Sequence, residues 1–199
     1  MPNLVTGSDV RDFWVWVDPK DFLARHNITV TGTFFSAPAE PGSPAMMFLP
    51  NPAFMTFISP FQNNLLRGYI AEYNLELTRA ASFRQYPCRL HAIFLLESEG
   101  DADAYKSLHP QHIFGRILNR GRTVGSYTYS IHDSSWVDFM RLGGSMDPST
   151  IRAVTEAYWS GRAVKDCELQ SMGRPWTQDR VPEVLFTGTV EFYDRELDA

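Results

Sequence analysis

Segments with strand period and segments with helix period follow one another along this chain without a regular β-α-β rhythm, and that order most restricts the fold. Asp12–Val17 (DFWVWV), Ile28–Phe35 (ITVTGTFF), Arg89–Glu97 (RLHAIFLLE), Thr123–His132 (TVGSYTYSIH) and Val184–Tyr193 (VLFTGTVEFY) are rich in β-branched and aromatic residues and read as strands. The nearly continuous apolar run in Arg89–Glu97 predicts a central strand. Val184–Tyr193 reads as one strand or as two short ones bent at Gly188. Four segments between them read as helices. Asp18–Ala24 has Asp18 as N-cap and Pro19 at the first helical position. A second helix runs from Asn63 or Asn64 to about Ala81, with Leu65, Leu66, Tyr69, Ile70, Tyr73 and Leu77 as an amphipathic stripe. Asp101–Leu108 is short. Asp147-Pro148 opens a helix to Trp159 that buries Ile151, Val154 and Tyr158 and ends at Gly161. Ser135–Arg141 is apolar and fits either period. Strands broken by helices at irregular intervals predict the α+β class.

The 199 residues suit one domain over positions 1–199. A chain of this size buries roughly 70% of its unfolded surface and needs no staple. Residues 36–60 form a loop rich in Pro, Met and Phe, holding six of the thirteen prolines. Its apolar content predicts packing on the body or a lid over a pocket, and not disorder. A net charge of −5 excludes binding to nucleic acid by phosphate neutralisation alone. Arg116, Arg120 and Arg122, within 115–125, read as a solvated loop or as a local basic groove. No apolar stretch reaches the ~20 residues that span a bilayer, so no membrane is expected. The start lacks the pattern of a signal peptide. Cys88 and Cys167 read as free thiols of a reducing, cytoplasmic setting. His109 and His112 have no carboxylate or Cys near in sequence, so no metal is expected. Dinucleotide-binding glycine loops, phosphate loops, nucleophile elbows and zinc-protease helices are all missing.

Two segments carry a family resemblance. Thr78–Tyr105 runs from Arg79 through Pro87-Cys88-Arg89 and Phe94 to an acidic turn at Asp101–Ala104. Glu156–Gly161 (EAYWSG) is followed later by Pro182–Gly188 (PEVLFTG). Together they cover about a fifth of the chain and resemble a poorly characterised ADP-ribosyltransferase-like family of bacteria and phages. That family has an arginine-bearing helix end, a P-S-R strand, a YWxG motif and a late strand opened by glutamate. The chain departs from it in having Cys88 where the family has serine, and His91 or Ala92 where a second serine is usual. It shows no unambiguous N-terminal Arg or His for an NAD-binding strand; Arg11 and Arg25 flank that region.

The resemblance implies a single domain with a split, mostly antiparallel sheet core and peripheral helices. It implies NAD as substrate and a mono-ADP-ribosyltransferase of toxin, effector or phage-conflict type. The acceptor would be a protein or a nucleic acid, and an antitoxin or other protein partner is compatible with it. Glu183 would be the catalytic carboxylate, since a negative charge stabilises a cation-like ribose; otherwise it is a solvent-facing residue before an edge strand. Arg89 would anchor phosphate through its fork of donors, or hold carboxylates and carbonyls structurally. Arg79 would bind the same ligand or cap a helix. Tyr158 and Trp159 would stack on the ligand or fill the core, and His91 would meet a ribose hydroxyl or sit between strands. The departures leave two further readings open. One is an inactive binding or inhibitory module with the same fold. The other is an interaction protein that docks through Phe54, Phe57 and their neighbours.

Overall fold

The computed structural model describes residues 3–38, 60–142, 146–171, 174–176 and 178–197. In chain order the elements are β1 (Leu4–Gly7), β2 (Asp12–Val17), α1 (Phe22–His26), a π-helical turn (Asn27–Thr31), β3 (Thr33–Ser36) and α2 (Pro60–Ser82). Then come β4 (Ile93–Leu95), α3 (Glu99–Leu108), α4 (Pro110–Ile113), β5 (Ile117–Asp133), α5 (Ser135–Leu142) and α6 (Pro148–Trp159). A 3-10 turn (Val164–Asp166), the small pair β6 (Gln170–Ser171) and β7 (Arg174–Pro175), and β8 (Pro182–Phe192) complete the chain. The class is α+β.

The long strands β5 and β8 pair with each other and carry the rest of a six-stranded sheet. β1 and β2 both add to the far edge of β5, and β3 and β4 both add to the far edge of β8. Every described pairing is antiparallel. The β5–β8 register shifts between Val124 and Thr128, where Gly125 takes φ 72°. Opposite the shift, β8 passes through Gly188 at φ 131° without breaking. A Cβ on Gly188 would stand 3.0 Å from the Tyr127 side chain, so only glycine fits that crossing.

Side-chain alternation divides the interior in two. Phe13, Val15 and Val17 of β2 join Val184, Phe186, Tyr127 and Tyr129 in a core on one face of the sheet. Leu185 points the other way, into a helix-side core with Leu75, Trp136, Phe139, Tyr158 and Trp159. Alternation therefore sends Trp16 and Glu183 to the helix-covered face.

Several elements differ from expectation. The first helix begins at Phe22 with Asp21 as N-cap, whose side chain accepts from the Ala24 N–H at 2.8 Å, and not at Asp18. Residues 28–31 form a π-helical turn; the strand is Thr33–Ser36. Arg89–Ala92 is a turn closed on the Cys88 carbonyl, so the expected central strand shrinks to Ile93–Leu95 on one side of β8. The stretch 117–125 is strand, not loop, with Arg120 paired to Asp12 and Arg122 to Glu191. On α2 the buried positions are Ala71, Leu75, Glu76 and Arg79, while Leu77 is exposed. The side chains of Leu65 and Leu66 lie outside the described residues, as does the Met- and Phe-rich part of the 36–60 loop. Ser135–Leu142 resolves as helix. Among the described residues, no helix is long and apolar enough to cross a membrane.

Asp133, at the end of β5, ties the helix side to the sheet. Its fully buried carboxylate accepts from the backbone N–H groups of Ser135 (3.1 Å), Val164 (2.9 Å) and Val181 (3.1 Å). It thereby starts α5 and sets the entry of β8 just ahead of Glu183. Asp133→Ala leaves these donors without their acceptor, and urea unfolding should show a loss of about 3 kcal/mol.

Candidate functional site

Between the sheet's helix-covered face and helices α2–α5 lies a cavity of about 310 Å³. Its inner wall is a charge network. Arg89 reaches it from the turn after α2 and stacks over Phe94, with the guanidinium carbon 5.0 Å from the ring centre. Arg89 donates through Nε and Nη2 to the two oxygens of Glu72, at 2.7 and 3.0 Å. Its Nη1 donates to the Tyr158 hydroxyl and to Glu183 Oε1. Tyr158 in turn donates to Glu183 Oε1 at 2.7 Å. Both described bonds of Glu183 fall on Oε1. Arg141 closes the network, 3.3 Å from Glu72 Oε1.

Burial opposes the charges of Arg89 and Glu72, and pairing overrides it. Desolvation pulls the Arg89 pKa down, but Glu183, Tyr158 and Glu72 hold it well above its ordinary value. Desolvation pushes Glu72 up, and Arg89 with Arg141 brings it below the usual carboxylate range. Burial raises the Tyr158 phenol far above its ordinary value, so it stays protonated and can donate. The wall thus presents two carboxylates fixed by one guanidinium.

A second group of side chains lines the cavity from α3, α4 and α5. His109 Nε2 lies 3.2 Å from Asp138 Oδ2, and Gln178 donates to the same carboxylate oxygen at 3.0 Å. The His109 and His112 rings stack with centroids 5.2 Å apart. The carboxylate that sequence proximity could not supply to these histidines therefore comes from α5. Among the described residues, no three His, Cys, Asp or Glu side chains gather as a metal ion would need.

Of the residues singled out in sequence, Glu183, Arg89 and Tyr158 meet at one point. The other three lie elsewhere. Arg79 forms a two-bond pair with Glu76, at 2.8 and 2.7 Å, and donates to the carbonyls of Arg84 and Tyr86. It is a buried latch at the end of α2. Trp159 is fully buried in the helix-side core and donates to the Leu75 carbonyl at 2.8 Å. His91 is exposed on the Arg89–Ala92 turn, where its carbonyl accepts from Ser36. Arg89 itself is committed to carboxylates, which leaves little of its fork for phosphate. Arg11 bonds Tyr129 and Asp9, outside the cavity lining; the N-terminal residue that does line it is Trp16.

Sequence reading missed Glu72, Asp138 and Arg141. A polar residue at 72, next to buried Ala71 on a helix, was a usable signal once the buried stripe was known. Asp138 and Arg141, three apart on one face of α5, needed the segment to be recognised as helix. Cys88 is no nucleophile candidate: burial, with Glu76 beside it, pushes its thiol up to about 11.

No family model matches this chain, and a search of curated proteins finds no match.

Proposed function

We propose that the cavity is the site of an NAD-dependent mono-ADP-ribosyl transfer, with Glu183 as the carboxylate that faces the reacting ribose. The observation that carries this reading is Glu183 on the cavity wall beside Arg89, bonded to Arg89 and to the Tyr158 hydroxyl buried behind them. Transfer breaks the bond between ribose and nicotinamide, which leaves with the electron pair, and puts positive charge on the sugar. A preorganised carboxylate lowers the energy of that charge. Arg89 and Tyr158 hold Glu183 through Oε1, which leaves Oε2 as the oxygen to meet the ribose. The aromatic surfaces of Trp16, Phe94 and Tyr105 supply faces for a flat ring. A volume of about 310 Å³ is at the lower end for ligand pockets and suits the nicotinamide ribose half better than the whole dinucleotide. The acceptor would be a protein or a nucleic acid, and the setting a toxin, effector or phage-conflict system.

The test is label transfer from NAD in a lysate, before and after nuclease or protease, with wild type beside Glu183→Gln. Glutamine keeps the shape and removes the charge, so transfer should fall at least about 100-fold. Loss of labelled product on nuclease or protease treatment names the acceptor class. Folded wild type that transfers no label and releases no nicotinamide would sink the transferase.

One observation favours a second reading, a binding module without chemistry. Arg89 satisfies both Glu72 and Glu183, a closed network that a ligand site needs as much as a catalytic one. In that case ADP-ribose would raise the melting temperature while no label moved.

A further inference from the structure

Three buried side-chain N–H groups have no partner among the described residues: Trp16 Nε1, Arg141 Nε and Trp176 Nε1. Two of the three, on Trp16 and Arg141, belong to residues that line the cavity. A buried donor without an acceptor is costly, so a pair of them bordering one cavity asks for a ligand with acceptor oxygens. The surroundings say what charge that ligand has. β2 pairs with β5 so that Trp16 lies opposite Leu118 and Val17 opposite Ile117, which brings Arg116 to the same rim. Arg116 makes no ion pair among the described residues. Lys106 Nζ sits over the Trp16 ring, 5.6 Å from its centre. The facing acids are already engaged: Glu72 and Glu183 by Arg89, and Asp138 by His109 and Gln178. Arg141 gives Nη2 to Glu72 and keeps Nε without an acceptor, while Arg116 and Lys106 are the rim cations with no ion pair among the described residues.

We infer that this rim, built from Trp16, Arg116 and Arg141, is a subsite for a phosphate or diphosphate group of the ligand. An indole donor and two arginines approaching from β2, the start of β5 and α5 fit an anion with oxygens in several directions better than a planar carboxylate. The inference rests on the reading of this cavity as the ligand site, and it moves the phosphate contact from Arg89, which the carboxylates occupy, to the rim.

Binding of inorganic pyrophosphate, ADP, ADP-ribose and malonate to the whole chain, by calorimetry and thermal shift, tests it. Wild type should bind the three phosphorylated probes and should bind malonate much more weakly. Tighter binding of ADP-ribose or ADP than of pyrophosphate would mark a nucleotide as the source of the phosphate. Trp16→Phe, which removes the N–H and keeps a ring, should weaken pyrophosphate about tenfold, as loss of one hydrogen bond to a charged group does. Arg141→Gln should weaken it at least as much. Arg152→Gln, on an exposed pair with Glu156, should change nothing. No binding of pyrophosphate by folded wild type, equal binding of malonate, or unchanged affinity in both Trp16→Phe and Arg141→Gln would overturn the subsite. ADP-ribose binding that needs Trp16 and Arg141, without transfer of label, would keep the subsite and refute the transferase. Transfer that is indifferent to both would do the reverse.

Discussion

Replacing Arg89 by Met should lower stability by about 3–5 kcal/mol, the usual cost of stripping one partner from a buried ion pair. Methionine fills much of the volume of the arginine stem, so the loss measures charge and not a cavity. Arg89 is 7% exposed and holds both Glu72 and Glu183. Without it, Glu183 keeps only the Tyr158 hydroxyl, and Glu72 keeps the more distant Arg141. Two carboxylates then share one poorly solvated wall. Glu72, which Arg89 otherwise holds below its ordinary pKa against burial, will take up a proton more readily, so the deficit relative to wild type should shrink as pH falls from 7 to 5. The double variant Arg89→Met/Glu183→Gln should regain part of the loss, because one of the stranded charges is gone. Urea unfolding of the three proteins at two pH values is sufficient. An Arg89→Met protein within about 1 kcal/mol of wild type at pH 7 would show that the guanidinium does not neutralise this wall.

Acid should destabilise the fold well above the range where carboxylates titrate, through His132. This side chain is fully buried, stacked on the Tyr158 ring at 4.4 Å, and bonded on both nitrogens. Nδ1 donates to the Tyr158 carbonyl (2.9 Å), and in the neutral ring Nε2 accepts from Ser130 Oγ (2.8 Å), so both nitrogens are satisfied without a charge. Burial, with Arg89 adding its charge, pulls the pKa down to about 3 despite the Tyr158 carbonyl. The unfolded chain binds this proton near pH 6.5 and the folded chain does not until about 3. Stability is therefore complete above pH 6.5 and declines as pH falls through the window from 6.5 to 3. The slope is about 1.4 kcal/mol per pH unit, so the step from pH 7 to pH 5 should remove about 2 kcal/mol. The lowered pKa of Glu72 acts in the same direction but only below about pH 4.5. His112, held below its ordinary value by burial and by His109 and Arg141, acts in the same direction and is exposed, so His112→Gln serves as the control. His132→Gln should flatten the dependence, at the cost of some stability at pH 7. A wild-type stability that is level between pH 7 and 5 would refute a neutral buried histidine here.

Local chemistry made much of this protein legible from its residues. DFWVWV is a strand because alternating aromatic and β-branched residues fit a pleated surface, and the structure reproduces Asp12–Val17 to the residue. Asp147-Pro148 starts a helix because the Asp147 side chain accepts from the Ser149 and Thr150 N–H groups and Pro148 needs no donor there. The pairing of Glu183 with Arg89 and Tyr158 was legible as three candidates, though not as a contact, since 94 residues separate Arg89 from Glu183. Arg79, Trp159 and His91 share the residue types of a binding site, and packing assigned them elsewhere.

What tertiary structure decided was which partner each charged group met. Residues 89–92 have the composition of a strand, yet the backbone closes as a turn because Arg89 is drawn to Glu72 and Glu183 while Ile93–Leu95 takes the place beside β8. Glu72, Asp138 and Arg141 carry no local pattern that marks a site; they become one because α2 and α5 pack over the same sheet face. Sequence by itself determined the period of each segment, its caps and its turns, since these depend on neighbours within about four positions. The cavity, its charge network and its unpartnered donors depend on groups brought together across the chain, and only the packed sheet and helices bring them within hydrogen-bonding distance.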